Sequence, residues 1–290
     1  MAGACTGCAD GTELPFDFKM AFQPIVDVGA HRVWGYEALV RGPAGEGAHS
    51  VISQLTDAQL YRFDQSARVL AIETAGRLFT DPAARLSINF MPNAVYEPRA
   101  CIQKSLAAAR RANFPAENLM FEFTENERMA SPDHVERIVK SYKELGFWTA
   151  LDDFGAGYAG LNLLARLQPN LIKIDMELLR DIHRSSAKQV IVSGVAAMAR
   201  QLDIEVLAEG VESEAEFTVL RSAGINLFQG YYFARPALMA LPEVAWLAEP
   251  ARDVALGLRA EPHTSLALPP PFTSYSPPVT IAAASEHRGR

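Results

Sequence analysis

Residues 147–175 read FWTALDDFGAGYAGLNLLARLQPNLIKID. The apolar run at 147–151 ends on two acids, Asp152 and Asp153, and Gly155 and Gly157 follow. A helical stretch near 158–167 leads into a second apolar run at 170–175, which ends on Asp175. The order is strand, helix, strand, with the helix as the crossover that lets two strands pair in parallel. Neighbouring side chains of a regular strand point to opposite faces. Asp152 and Asp153 therefore address one site only where the strand ends and the backbone turns, a turn that glycines permit. A solvated turn opened by Asp is the plainer explanation of the same residues. The ends of the other strands decide between the two.

Outward from this unit the alternation persists. Towards the C-terminus come a long helix over about 177–201, a strand at 204–209, a helix over about 213–223 and a strand at 227–234. Towards the N-terminus lie a helix over about 132–145, a strand at 118–124, a helix over about 98–112 and a strand at 85–90. Before these, Ile52, Leu55, Leu60, Phe63, Val69, Leu70, Ile72 and Leu78 keep helical spacing over roughly 50–79. The chain opens differently. Strands at 18–28 and 32–42 are joined by Gly29-Ala30-His31, a connection so brief that it allows only an antiparallel hairpin. Pro24 inside the first of them belongs at an edge, an end or a bulge. Eight strands, alternating with helices from the second onward, predict an α/β fold: a TIM-type (β/α)8 barrel modified by one antiparallel strand. The alternative, a doubly wound open sheet, would carry a glycine-rich phosphate loop after its first strand, and none is present.

The flanks differ in character. Residues 1–15 read as a flexible leader, 16–250 as the barrel domain and 251–290 as a proline-rich tail without a core, expected to be disordered. Cys5 and Cys8 form a CxxC in the leader; with no second ligand pair nearby, a loose segment is favoured over half a zinc site or a redox pair. Cys101 makes the count odd, which speaks against a disulfide framework and for a cytoplasmic protein. No apolar run reaches the ~18 residues of a membrane span, and no secretory signal opens the chain. A net charge of -7 argues against DNA as a partner. It also means that an anionic substrate would need a local reversal of field, which a bound divalent cation supplies.

Polar residues recur where strands end. The second strand offers Glu37 and, at the same parity, Arg41; the third Asn89; the fourth Glu122 and then Glu125; the fifth Asp152 and Asp153. Lys173 and Asp175 share a face on the sixth, Glu209 ends the seventh and Gln229 lies on the last. Singly, each has an ordinary explanation as a solvent-facing residue, a cap or an ion-pair partner. Jointly they do not, because one barrel has one C-terminal mouth and all of them open into it. Carboxylates so crowded need cations or protons. An all-oxygen set without Cys or His favours Mg²⁺ or Mn²⁺ over zinc. Two such ions side by side are the usual arrangement for phosphodiester hydrolysis by a bridging water. Lys173 and Glu209 are both candidates for the general base.

The same residues fall within an ordered series of motifs: QPI (Gln23 to Ile25), EALVR (Glu37 to Arg41), SINF around Asn89 and FEFTE with Glu122 and Glu125. DDFGAGY, IKID (Lys173 to Asp175), AEGVE (Glu209 to Glu212) and QGYYFARP (Gln229 to Pro236) continue it. Over about residues 18–245 the chain resembles the EAL-domain phosphodiesterases, which hydrolyse cyclic di-GMP. The resemblance implies a cyclic di-GMP substrate, linear pGpG as product and two divalent cations, Mg²⁺ or Mn²⁺. It implies that Glu37, Asn89, Glu122 and Asp152 bind one metal. Asp152 and Asp153 bind the second, with Glu209 on that side. Lys173 contacts the nucleophilic water. Gln23, Leu39, Arg41, Asp175, Gln229 and Pro236 fall on the substrate side, Arg41 towards phosphate. Glu125 is expected to hold the loop after Asp153, and that loop with the following helix to couple the site to a homodimer interface. Ala156 and Ala159 stand where the commoner form of the loop has Thr and Ser, so this coupling is where the chain departs from its relatives. A signalling partner is expected through the leader or the tail. Retention of every expected metal ligand favours an enzyme over a silent nucleotide receptor, and both over an interaction module acting through the tail.

Overall fold

The structure, a computed structural model, describes residues 14, 16–95, 97–124, 132–157 and 160–248. The leader with Cys5 and Cys8, the tail at 251–290, Glu125, Tyr158 and Ala159 lie outside the described residues. Strands β1 (Lys19–Asp27) and β2 (Arg32–Arg41) form the expected hairpin. They are followed by β3 (Arg85–Asn89), β4 (Leu119–Thr124), β5 (Trp148–Phe154), β6 (Leu171–Ile174), β7 (Glu205–Ala208), β8 (Leu227–Phe228) and β9 (Ala237–Leu238). Strands β2 to β8 pair in parallel in chain order. β1 closes the ring antiparallel to both β2 and β8. The barrel with one antiparallel strand is thus the observed fold, with β9 added along β1.

On that side β1 meets β9 at Ala21 and Phe22 and β8 only at Val26 and Asp27. Pro24 falls in the gap between them, the kind of place where a residue lacking an N–H is tolerated. Ile25 pairs with Gly35 and Val26 with Val33, so Trp34 is the extra residue of a β-bulge. The bulge resets the alternation of β2. Trp34 joins the barrel's interior cluster, and Glu37, three residues on, faces the same interior.

The helices break more often than their spacing suggests. The stretch expected over 50–79 is two helices, α1 (Ala48–Ile52) and α2 (Asp57–Leu78), because Thr56 starts α2 anew with a capping box to Gln59. Residues 98–112 divide into α3 (Pro98–Cys101) and α4 (Gln103–Arg111). Helices α5 (Pro132–Glu144) and α6 (Gly160–Leu167) follow, one on each side of β5. The long helix expected over 177–201 is α7 (Met176–Leu179), a 3-10 turn and α8 (Ser186–Gln201). Asp181, in the left-handed region at φ 54°, interrupts it, and the Ser185 side chain caps α8. α9 (Glu214–Ser222) and α10 (Ala245–Ala248) complete the set. The strand expected over 227–234 stops at Phe228. None of the described helices is long and apolar enough to cross a membrane.

Parity builds the interior. Ile25, Met120, Ala150, Leu171, Leu207 and Leu227 pack with Trp34 as one buried cluster, separate from the larger core between barrel and helices. Two residues nearer the mouth along the same chain segments stand Gln23, Glu122, Asp152 and Lys173 on their strands, and Glu209 and Gln229 one residue past the ends of β7 and β8. Below, at the start of β3, the Arg85 guanidinium lies 4.7 Å from the Trp34 ring and 4.1 Å from that of Trp148. The barrel therefore has a cation–π floor, an apolar waist and a polar top.

Candidate metal centre

The polar top is organised around one ammonium. Lys173 Nζ lies 2.8 Å from Glu209 Oε1, 2.9 Å from Glu122 Oε2, 3.2 Å from Asp152 Oδ1 and 3.6 Å from Glu37 Oε2. Its side chain is buried, as are those of Glu37, Glu122 and Asp152. Burial opposes the lysine's charge, yet Asp152, Glu122, Glu209 and Glu37 together hold it well above the usual lysine range. Amides complete the ring. Asn89 Nδ2 donates to Glu37 Oε1 at 2.9 Å, and Gln229 Nε2 donates to Glu37 Oε2 at 2.9 Å and to Gln23 Oε1 at 3.3 Å. Gln23 Nε2 in turn donates to the Ala234 carbonyl at 3.2 Å.

The backbone turns at Gly155, which adopts φ 97°, and the departure from regular strand geometry already begins two residues earlier. β5 runs on to Phe154, but Asp153 itself adopts φ 54°, and pairing with β6 slips between Leu151 and Phe154. Aspartate is among the few residues that enter this region readily. The Asp153 N–H donates to Asp152 Oδ1 at 2.8 Å. The local distortion lets both acids serve one place: carboxylate oxygens of Glu37, Glu122 and Asp152 lie within 4.8 Å of one another, and so do those of Asp152, Asp153 and Glu209.

Crowding shows in the acids' proton affinities. Burial, with Glu37 and Asp152 nearby, pushes Glu122 up to about 8 despite Lys173. Burial and the adjacent Asp152 push Asp153 up to about 6. Burial and Asp152 raise Glu209 well above its ordinary value. One ammonium does not balance five carboxylates (Glu37, Glu122, Asp152, Asp153 and Glu209). Divalent cations would relieve the remainder, and a donor set of carboxylates with one carboxamide fits hard ions.

Gln23, Glu37, Asp153, Asp175, Glu209 and Gln229 line a cavity of about 260 Å³ over this cluster, with Met176 and Tyr231 at its rim. Asp175 also caps α7, accepting the Glu177 N–H at 2.8 Å. Leu39 and Asn89 instead line an apolar cavity of about 550 Å³ against α1 and α2. Arg41 donates to the Val40 carbonyl at 2.7 Å, and Pro236 is half-buried; neither lines the first cavity. Ser87, which hydrogen-bonds Glu122 Oε1, is a member of the site that the strand-end pattern does not single out, although it shares parity with Asn89 two residues on.

The family model of the EAL domain matches residues 16–236. The blue light- and temperature-regulated antirepressor BluF of Escherichia coli K12 is 34% identical over 226 residues, covering 78% of this chain and 56% of that protein. The cyclic di-GMP phosphodiesterase NbdA of Pseudomonas aeruginosa is 31% identical over 238 residues, 78% of this chain and 30% of that protein. The chain thus spans about half, or less, of the length of these curated relatives. Among solved structures, a standalone EAL protein from Vibrio cholerae O395 in its c-di-GMP-bound form superposes with a TM-score of 0.78 at 52% identity, over 82% of this chain and all of that one. The manganese and cyclic di-GMP complex of Klebsiella pneumoniae BlrP1 at pH 9.0 superposes with a TM-score of 0.75 at 37% identity, over 80% of this chain and 59% of that one.

Proposed function

The chain belongs to the EAL domain family, and on that premise we propose that it is a cyclic di-GMP phosphodiesterase, which opens the cyclic dinucleotide to linear pGpG with two divalent cations, Mg²⁺ or Mn²⁺. The observation that carries this reading is Asp152, whose carboxylate belongs to both oxygen clusters. Glu37, Asn89, Glu122 and Asp152 would hold one ion; Asp152 and Asp153, with Glu209 on that side, would hold the other. Bound ions acidify water and withdraw charge from phosphate.

The chain's own groups divide the remaining work. Lys173 is occupied as a donor to several carboxylates, so it orients the attacking oxygen and does not take its proton. Glu209 has the most exposed side chain of the acids around Lys173, at 17%, and accepts that proton. Gln229 fixes Glu37 and also donates to Gln23, and both amides, with Asp175, face the substrate across the cavity. Arg41 swings from the Val40 carbonyl to a phosphate oxygen, beside Leu39 and Pro236. Glu125 holds the loop after Asp153. A cytoplasmic homodimer through that loop and α6 belongs to the same proposal, supported by Leu161 on α6, which is 63% exposed. So does the division into leader, barrel domain at 16–250 and tail.

Incubation with cyclic di-GMP and Mg²⁺ or Mn²⁺, followed by chromatography, tests the reading: linear pGpG is expected, and tight binding without product would overturn it. Asp152→Asn should abolish turnover while leaving the circular dichroism spectrum unchanged. Binding without hydrolysis is the second reading, favoured by the naming of BluF as an antirepressor.

A further inference from the structure

Behind the metal centre, outside the barrel wall, α2 buries an ion pair. Arg68 is entirely buried, and Asp64, one turn earlier, is 3% exposed. The Asp64 carboxylate pairs with Arg68 Nη2 through one oxygen and accepts the Met91 N–H at 3.0 Å through the other. Arg68 Nη1 donates to the Tyr142 hydroxyl at 3.2 Å, while its Nε is buried without a partner. Buried pairs of this kind are poor stabilisers, since apolar residues of similar volume usually serve as well or better. An incompletely satisfied guanidinium makes stability a weaker explanation still.

The surroundings suggest another. The guanidinium lies 5.3 Å from the Phe90 ring and 5.8 Å from that of Phe121. Phe90 directly follows Asn89, and Phe121 directly precedes Glu122. Outward and inward side chains alternate along a strand, so Arg68 grips the backs of the two residues whose neighbours form one side of the centre. Met91, held by Asp64, is two residues past Asn89, and the Phe90 N–H donates to the Glu122 carbonyl at 3.0 Å.

We propose that Arg68 is a positioning residue: with Asp64 and Tyr142 it fixes the ends of β3 and β4 so that Asn89 and Glu122 meet one cation together. The inference rests on the metal reading above. It is tested by titrating Mn²⁺ into the full chain, followed by electron paramagnetic resonance, alongside kcat and KM and thermal melting. Arg68→Met should weaken one class of Mn²⁺ site about tenfold or more and lower kcat at saturating metal, with KM changed less than about twofold. Arg68→Lys should recover part of both. Val192→Ala, a core truncation in α8 that also lowers the melting temperature, should leave both unchanged. If Arg68→Met loses thermal stability yet binds Mn²⁺ and turns over as Val192→Ala does, the residue is structural only and the proposal is wrong. Should Arg68→Met not fold, Tyr142→Phe is read by the same measurements, and an unaltered Mn²⁺ titration there overturns it equally. If the unmodified protein binds no Mn²⁺, the metal reading itself fails and the inference falls with it.

Discussion

Among the described residues, Lys173 is the cation that the ion pairs place within this ring of carboxylates, and its removal separates two effects. Lys173→Met should lower turnover by at least ~10²-fold. It should also destabilise the metal-free protein by about 3–5 kcal/mol, because buried acids lose their partner. Divalent metal should then restore more stability to the variant than to the parent, as melting curves in chelator and in Mn²⁺ would show. Gly230 makes a different demand. A Cβ there would lie 2.0 Å from the carbonyl oxygen of Val211, a residue already tied down because its N–H donates to the Gln229 carbonyl at 3.1 Å. Gly230→Ala should cost about 1–3 kcal/mol in denaturant titration and displace Gln229 from Glu37. Most of these residues were legible in the sequence, because an acid or amide within an apolar strand is conspicuous. Asp64 and Arg68 were not, since a charged residue on a long helix reads as solvent-facing until tertiary packing buries it.

Among the elements, α9 carries the clearest pH dependence. Glu216 is buried, which would raise its carboxyl, but it accepts the N–H groups of Asp181, Glu212 and Ser213 at 3.0, 3.1 and 3.2 Å. The net effect holds it below its ordinary value. A carboxyl depressed in the folded state contributes stability that is complete above the unfolded-state value of about 4.3 and fades as pH falls through the lower folded value. Stability curves of the parent and Glu216→Gln should therefore lie about 1–3 kcal/mol apart at pH 7 and converge in acid, most steeply below about pH 4.5. Element identity is legible in the sequence wherever strand and helix alternate. Helix continuity is not, because a cap such as Thr56 or a left-handed Asp181 looks ordinary inside a helical pattern.

At the level of the whole molecule, the hairpin decides the barrel's antiparallel strand, since a connection as short as Gly29-Ala30-His31 permits no crossover. β9 is not legible in the sequence because two residues pairing with β1 carry no pattern of their own. The proposed dimer is a property of this scale too. Leu161→Glu should yield a monomer in size-exclusion chromatography with light scattering, while the metal centre, on the barrel's interior face, still binds Mn²⁺. A dimer that persists would remove α6 from the interface.

The floor of the barrel has an optical consequence. The chain holds three tryptophans; Trp34 and Trp148 come from β2 and β5, which two other strands separate, yet their ring centroids are 5.6 Å apart. Such neighbours couple their electronic transitions only once the sheet has curled into a ring. A paired circular-dichroism band from these two rings is therefore expected to appear only on closure and to serve as its clock, distinct from the signal of Trp246, which packs outside against Phe217 and Phe233.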